Sequence, residues 1–102
     1  MVDLDAPQRP FVHWALAGLA PGVLGLAAAA APAGSTAGAN DFGMTGYGGP
    51  CPPRGGSPHR YRMEVDALDQ TLPVSRGFAL ASVASRLGSH VVARGQLVGL
   101  YR

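Results

Sequence analysis

The sequence is poor in cysteine, aromatic residues and charge. It has a single cysteine, Cys51, so no disulfide can form within the chain and the redox compartment is left open. Aromatic residues make up 7% and charged residues 14% of the 102 residues. All eight basic residues are arginine, so the sequence contains no lysine. These arginines are spread singly from Arg9 to Arg102 and form no basic patch, which argues against a nucleic-acid partner.

Large apolar side chains are also scarce. The 47% hydrophobic share includes 17 alanines, and 15 glycines and 9 prolines add further small or turn-forming residues. A chain of this length buries roughly 65% of the surface that it exposes when unfolded. We therefore expect one small domain over residues 1–102, with a thin core.

Residues 11–39 carry no charge, yet they lack the features of a membrane span or a signal peptide. Before this stretch, the two negative charges of Asp3 and Asp5 exceed the single positive charge of Arg9, whereas a signal peptide begins with basic residues. A histidine, a proline and many alanines weaken a spanning helix. We predict a loop and no integral membrane segment. The lack of a convincing signal peptide favours the cytoplasm but leaves the compartment open.

Apolar residues at every second position predict strands. Residues 11–19 are apolar on both faces of this pattern, which is typical of a strand covered on both sides. Residues 59–68 alternate between apolar and charged side chains, which predicts a half-buried strand. A further strand is predicted for residues 96–101 at the end of the sequence.

A helix and a long loop complete the predicted elements. Residues 76–87 have apolar side chains at helical spacing, and Gly88 follows at the position of a C-cap glycine. Residues 20–58 contain 16 glycines and prolines among 39 residues, which predicts a long irregular loop.

Short polar segments carry groups suited to binding an anion. In an extended chain, side chains two residues apart point the same way, so Asp3 is expected to lie beside Asp5, and His59 beside Tyr61. Imidazolium, phenol and backbone N–H groups are donors that suit a phosphate or a carboxylate. The aspartates fit such a site if they accept hydrogen bonds from neighbouring imidazoles. The glycine-rich segment 46–49 adds N–H groups that no side chain obstructs.

The same residues leave two other interpretations open. Asp3, Asp5, His13 and His59 are plausible zinc or manganese ligands, which would suit a metal-dependent hydrolase, although no HExxH, HxH or CxxC spacing supports a metal site. Taken singly, each residue also has an ordinary structural interpretation, such as a histidine packed in the core. His90, just beyond the predicted helix, is interpreted as a capping or packing residue.

In this order, the segments resemble the phosphatidylethanolamine-binding protein (PEBP) family, especially its bacterial YbhB/YbcL branch, often labelled Raf-kinase-inhibitor-like. The first match is Asp-Leu-Asp-Ala-Pro at 3–7, followed by His-Trp at 13–14. The second is Asn-Asp-Phe-Gly at 40–43, Gly-Tyr-Gly-Gly-Pro-Cys-Pro-Pro at 46–53 and His-Arg-Tyr at 59–61. The resemblance implies a mainly β fold: an antiparallel β-sandwich with a C-terminal helix and a small pocket at one end.

The resemblance also implies a function. It points to a non-enzymatic protein without a cofactor, which binds phosphate, acetate or phospholipid-headgroup-like anions and could be regulatory. The ligand-binding residues that it implies are Asp3, Asp5, His13, Tyr47, Gly49, Pro50, His59 and Tyr61.

The sequence departs from the family pattern in two places. Leu4 stands where the family usually has a proline, which frees the backbone between the aspartates. The family's domain also has several strands before its first motif, whereas Met1 stands two residues before Asp3. We therefore expect N-terminal strands to be missing and strand edges and apolar faces to be uncovered, with homo-oligomers or a non-functional fragment as the consequences.

Overall fold

The computed structural model describes residues 1–28 and 30–102 and has a mainly β fold with one short helix near the C-terminal end. This confirms the predicted fold class. The elements in chain order are β1 (Val2–Asp3), β2 (Phe11–Val12), β3 (Leu16–Ala17), β4 (Thr36–Ala37), β5 (His59–Leu68), α1 (Leu80–Leu87), a short 3-10 helix (Gly88–His90) and β6 (Val91–Tyr101).

The larger sheet has four antiparallel strands in the order β2-β1-β5-β6. Its main part is the β5–β6 pair, in register from His59 opposite Tyr101 to Ala67 opposite Ala93. Strand β1 inserts between β2 and β5, with Asp3 opposite Tyr61. This pairing brings the polar segment that contains Asp3 against the polar segment at the start of β5, which contains His59 and Tyr61.

The smaller sheet pairs β3 with β4, and it corrects the prediction of one continuous strand over 11–19. The backbone N–H groups of His13 and Trp14 both donate to the carbonyl oxygen of Met1, at 2.9 and 3.2 Å. The chain therefore leaves the first sheet after Val12 and joins the second sheet at Leu16. Strand β4 lies inside the predicted loop 20–58.

The helix occupies the second part of the predicted range 76–87. Residues 77–78 are held against the end of β4 instead, since the N–H of Gly77 donates to the carbonyl of Ala37 at 2.8 Å. Gly77 has a φ of +83°, a conformation that favours glycine. The α-helix ends before Gly88, which has a φ of +42°. Strand β6 begins five residues before the predicted start at Gln96.

The core is thin. The buried hydrophobic side chains among the described residues are Ala15, Ala17, Tyr61 and Val83. Strand β5 has the alternation predicted for residues 59–68, but its apolar side is buried only near its start. Beyond Tyr61, Met63 is 43% and Val65 63% exposed. None of the helices within residues 1–28 and 30–102 has the length and hydrophobicity of a membrane-spanning segment.

Candidate functional site

The Asp3–His59 pair lies where β1 meets the start of β5. Asp3 is only 4% exposed, and its Oδ2 accepts a hydrogen bond from Nδ1 of His59 at 2.7 Å. Its Oδ1 accepts a second bond from the backbone N–H of Asp5 at 2.8 Å. A buried carboxylate needs such donors, because it has lost its contact with water. The bond to Asp3 occupies Nδ1 of His59 and leaves Nε2 for another partner.

His13 is held in the same way by backbone carbonyl groups. It is 2% exposed, and its Nδ1 lies 3.0 Å from the carbonyl oxygen of Gly48 and 3.1 Å from that of Gly49. A carbonyl oxygen can only accept, so Nδ1 of His13 must carry the proton. As in His59, the atom left for another partner is Nε2.

Tyr61 lies between the two histidines. Its ring packs edge-on against His13, with centroids 5.3 Å apart, and is stacked at 6.5 Å with His59. Its hydroxyl group is buried and has no hydrogen-bond partner among the described residues. Burial, together with the nearby negative charge of Asp3, raises the pKa of Tyr61 to about 12. The phenol therefore stays protonated at neutral pH and can donate a hydrogen bond.

The glycine-rich segment forms the wall beside His13. The N–H of Gly48 donates to the carbonyl of His13 at 2.9 Å. A side chain at Gly48 would force the ring of Phe42 or the backbone to shift, because a Cβ atom there would lie 2.5 Å from that ring. Tyr47, in the same segment, is 55% exposed and packs edge-on against Trp14 at 5.7 Å.

An open concavity of about 340 Å³ lies next to this wall. It begins at Pro50 and extends to the end of β6. The residues that line it are Pro50, Cys51, Pro52, Pro53, Arg54, Gly55, Tyr101 and Arg102. Tyr101 joins it to the cluster, because Tyr101 pairs with His59 across the sheet and its ring lies 6.5 Å from that of Tyr61.

Asp5 lies outside the cluster, contrary to the expectation that it points the same way as Asp3. The chain bends at residues 4–5, and both carboxylate oxygens of Asp5 bind Arg60, with Oδ1 2.6 Å from Nη2. The hydrogen bonds from Arg60 lower the pKa of Asp5 to about 2. Leu4 contributes to this junction, since its N–H donates to the carbonyl of Arg60 at 2.9 Å. A proline at position 4 could not make that bond.

Two residues that support the site were not selected from the sequence. The side chain of Asn40 is buried, accepts bonds from the N–H groups of Phe42 and Met44, and donates to the carbonyl of Gly46. The next residue, Asp41, accepts a bond from the N–H of Val12 at 2.6 Å. Asn commonly closes turns in this way, so Asn40 in the Asn-Asp-Phe-Gly segment carried a local signal, whereas the bond of Asp41 to Val12 spans 29 residues and had none.

The geometry gives the metal interpretation no support. In the part of the chain that the structure describes, no group of three His, Cys, Asp or Glu side chains is placed to hold a metal ion. Of the four ligands considered, only the side chains of Asp3 and His59 are hydrogen-bonded to each other, and the side chain of Asp5 is bound to Arg60.

Together, these features define a small antiparallel β protein with one buried and one partly buried histidine, His13 and His59, around a buried tyrosine. Comparison with known proteins identifies the group to which it belongs. The sequence profile described as "Phosphatidylethanolamine-binding protein" matches residues 1–102. The chain belongs to this family and is similar to its YbhB/YbcL-like members, as the sequence motifs predicted.

Individual relatives are longer than this chain. A UPF0098 protein from Pyrococcus horikoshii is 39% identical over 105 residues, which cover 97% of this chain but 53% of the relative. The crystal structure of Escherichia coli YbcL, described as a member of the mammalian PEBP family, has a TM-score of 0.87 at 32% identity. That of a putative PEBP homologue from Chlamydia trachomatis has a TM-score of 0.89 at 31% identity. Both matches cover 99% of this chain and 67% of the other.

Proposed function

We propose that the Asp3–His59 pair, His13 and Tyr61 form a non-enzymatic binding site for a small anion, a phosphate or a carboxylate. The observation that carries the proposal is the arrangement of the histidines. Each has its Nδ1 bound to an acceptor, Asp3 for His59 and the Gly48 and Gly49 carbonyls for His13. When protonated, each imidazolium presents its Nε2–H as a free donor.

Two further features support an anion as the ligand. Tyr61 contributes a buried hydroxyl group that has no partner in the described part of the chain, and such a group gains most from a bound acceptor. The concavity that begins at Pro50 offers room for the rest of a larger ligand, such as a phospholipid headgroup. Gly49 and Pro50 belong to the walls of the site in this proposal, Tyr47 holds the glycine-rich segment in place through the packing of its ring against Trp14, and Asp5 fixes the segment that carries Asp3.

Calorimetry with phosphate and acetate tests the assignment. We expect affinity near 1 mM, equivalent to about 4 kcal/mol. A hydrogen bond to a charged group contributes roughly 1.5–3 kcal/mol, so His59→Ala and His13→Ala are each expected to weaken binding at least about tenfold. His90→Ala is the control, because His90 binds Asp69 at 2.9 Å, away from the cluster. Unchanged phosphate binding by the double His13→Ala, His59→Ala variant would contradict the proposal.

The pH dependence separates this site from a metal site. The anion needs the protonated imidazolium form, in which both ring nitrogens of a histidine donate. Acetate affinity, measured at constant ionic strength from about pH 5.5 to 8, is therefore expected to fall as the pH rises. Metal binding needs neutral imidazoles and strengthens over the same range. Stoichiometric zinc binding that rises with pH, without acetate binding at the acidic end, would favour the hydrolase alternative.

A further inference from the structure

The open concavity beside the proposed site carries positive charge. Arg54 and Arg102 line it, and in the described part of the chain no aspartate or glutamate side chain does. A concave surface with side-chain charge of one sign concentrates ions of the opposite sign. The part of a ligand that lies in this concavity is therefore expected to be negative.

The arginines of the concavity differ from those that take part in the fold. Arginines that form ion pairs with an aspartate or a glutamate are Arg9, Arg60, Arg62 and Arg94. Arg54 and Arg102 are exposed, and within residues 1–28 and 30–102 neither forms an ion pair. Their N–H groups are therefore available to a ligand, and the planar guanidinium group matches the two oxygens of a carboxylate.

A turn in the proline-rich segment holds Arg54 at the concavity. The N–H of Gly56 donates to the carbonyl of Pro53 at 3.3 Å, which closes a turn with Arg54 and Gly55 at its centre. Gly55 has a φ of +78°, a value typical of the second central residue of a type II turn. The rings of Pro52 and Pro53 fix φ just before the turn, so the backbone that carries Arg54 has few other conformations.

The register of the larger sheet places Arg102 near His59. Tyr101 lies opposite His59, and Arg102 is the next residue along the chain. The usual spacings along a chain and between paired strands put the Cα atoms of His59 and Arg102 within about 9 Å of each other. Tyr101 itself lines the concavity, and its ring lies 6.5 Å from the ring of Tyr61. One small molecule can therefore contact both the cluster and the concavity.

We propose that the ligand of this site is a small phosphate monoester that also carries a carboxylate. The phosphate binds the histidines and the tyrosine of the cluster, and the carboxylate binds Arg54 and Arg102. A monoester offers one terminal oxygen to each of the donors His13, His59 and Tyr61. A ligand whose second group is only an ammonium would place a positive charge beside two guanidinium groups. The inference rests on the proposed anion site and adds the chemistry of the second group.

Phosphoserine and phosphoethanolamine are matched probes, because they differ only by one carboxylate. In NMR titrations at fixed pH and ionic strength, the wild-type chain is expected to bind phosphoserine about fivefold more tightly, the size of effect that exposed charge pairs produce. The double variant Arg54→Gln, Arg102→Gln is expected to bind the two esters equally. Each single variant is expected to lose part of the preference.

A second double variant, Arg76→Gln, Arg86→Gln, is the matched control. Arg76 and Arg86 are also exposed and, among the described residues, form no ion pair, but they do not line the concavity. This variant removes the same charge from the protein and is expected to keep the preference for phosphoserine. It therefore separates a local contact from a general attraction to the net positive charge.

Inorganic phosphate distinguishes failure of this inference from failure of the anion site. A wild-type chain that binds no phosphate contradicts the proposed function, and the inference falls with it. A chain that binds phosphate but prefers neither ester overturns the inference alone, and so does an equal preference in the two double variants. An Arg54→Gln, Arg102→Gln protein that is folded by circular dichroism but binds neither ester would place the arginines on the phosphate, which also overturns the inference.

Discussion

The hydroxyl group of Tyr61 is expected to lower the free energy of unfolding and, in the proposed site, to donate a hydrogen bond to the ligand. Its hydroxyl group is buried and has no hydrogen-bond partner in the described part of the chain. We expect Tyr61→Phe to raise the free energy of unfolding by about 1 kcal/mol, because the phenylalanine ring buries no unpaired donor. The same variant should bind acetate about tenfold more weakly, equivalent to 1.4 kcal/mol. Urea unfolding and calorimetry measure the two effects.

Tyr47→Phe is the control for this variant, since Tyr47 is 55% exposed. It should change neither quantity by a comparable amount. A Tyr61→Phe protein that is less stable and binds acetate normally would show that the hydroxyl group has a structural partner and no ligand role.

Alkaline titration gives a second measurement on the same residue. The pKa of Tyr61 is raised to about 12 in the folded protein, compared with about 10 in an unfolded chain. The unfolded state therefore releases this proton first, and folding stability falls as the pH rises from about 10 to 12. The phenolate absorbance that disappears in Tyr61→Phe should titrate near pH 12. A titration near pH 10 would mean that water reaches the hydroxyl group.

Gly48 lies where the glycine-rich segment packs against His13. A Cβ atom at Gly48 would meet the ring of Phe42 at 2.5 Å, so Gly48→Ala must displace the ring or the backbone whose carbonyl holds His13. We expect a loss of about 1–3 kcal/mol in unfolding free energy, together with weaker acetate binding. Gly22→Ala is the control, because nothing lies within 4 Å of a Cβ atom there. Equal stability of the two variants in urea would exclude the clash.

The ion pair between Asp5 and Arg60, at the start of β5, makes the folding stability depend on pH in acidic solution. Arg60 lowers the pKa of Asp5 to about 2, so the unfolded chain takes up a proton at higher pH than the folded protein does. The stabilisation is present above about pH 4 and is lost as the pH falls towards 2. Because the pair is exposed, the effect is small. Urea unfolding at several pH values measures the effect: in Asp5→Asn, the free energy of unfolding should depend less on pH between about 4 and 2 than in the wild-type chain. An equal pH dependence in the two proteins would rule out the contribution of Asp5.

The sequence was sufficient to predict the elements whose pattern is local, but not those that depend on long-range contacts. Strand β5 occupies the predicted range 59–68 because its alternation of apolar and charged residues is uninterrupted. The division of residues 11–19 between two sheets depends on bonds to the Met1 carbonyl, which no local pattern reveals. For the candidate site, family motifs selected Asp3, His13, His59 and Tyr61, which the structure places together. They could not show that the chain bends at residues 4–5 and turns Asp5 towards Arg60.

The candidate site is assembled from parts of the chain that are far apart. Asp3 and His59 are separated by 56 residues, and His13 and Gly48 by 35. During synthesis on the ribosome, Asp3 therefore waits for its partner until 56 further residues have been made, and His13 waits for 35. Closing a span of this length costs an entropy that grows only with the logarithm of its length, so doubling the span adds only about 0.6 kcal/mol. Most of the described residues between β3 and β4 are exposed, so residues inserted there would lengthen both spans at little cost in closure entropy.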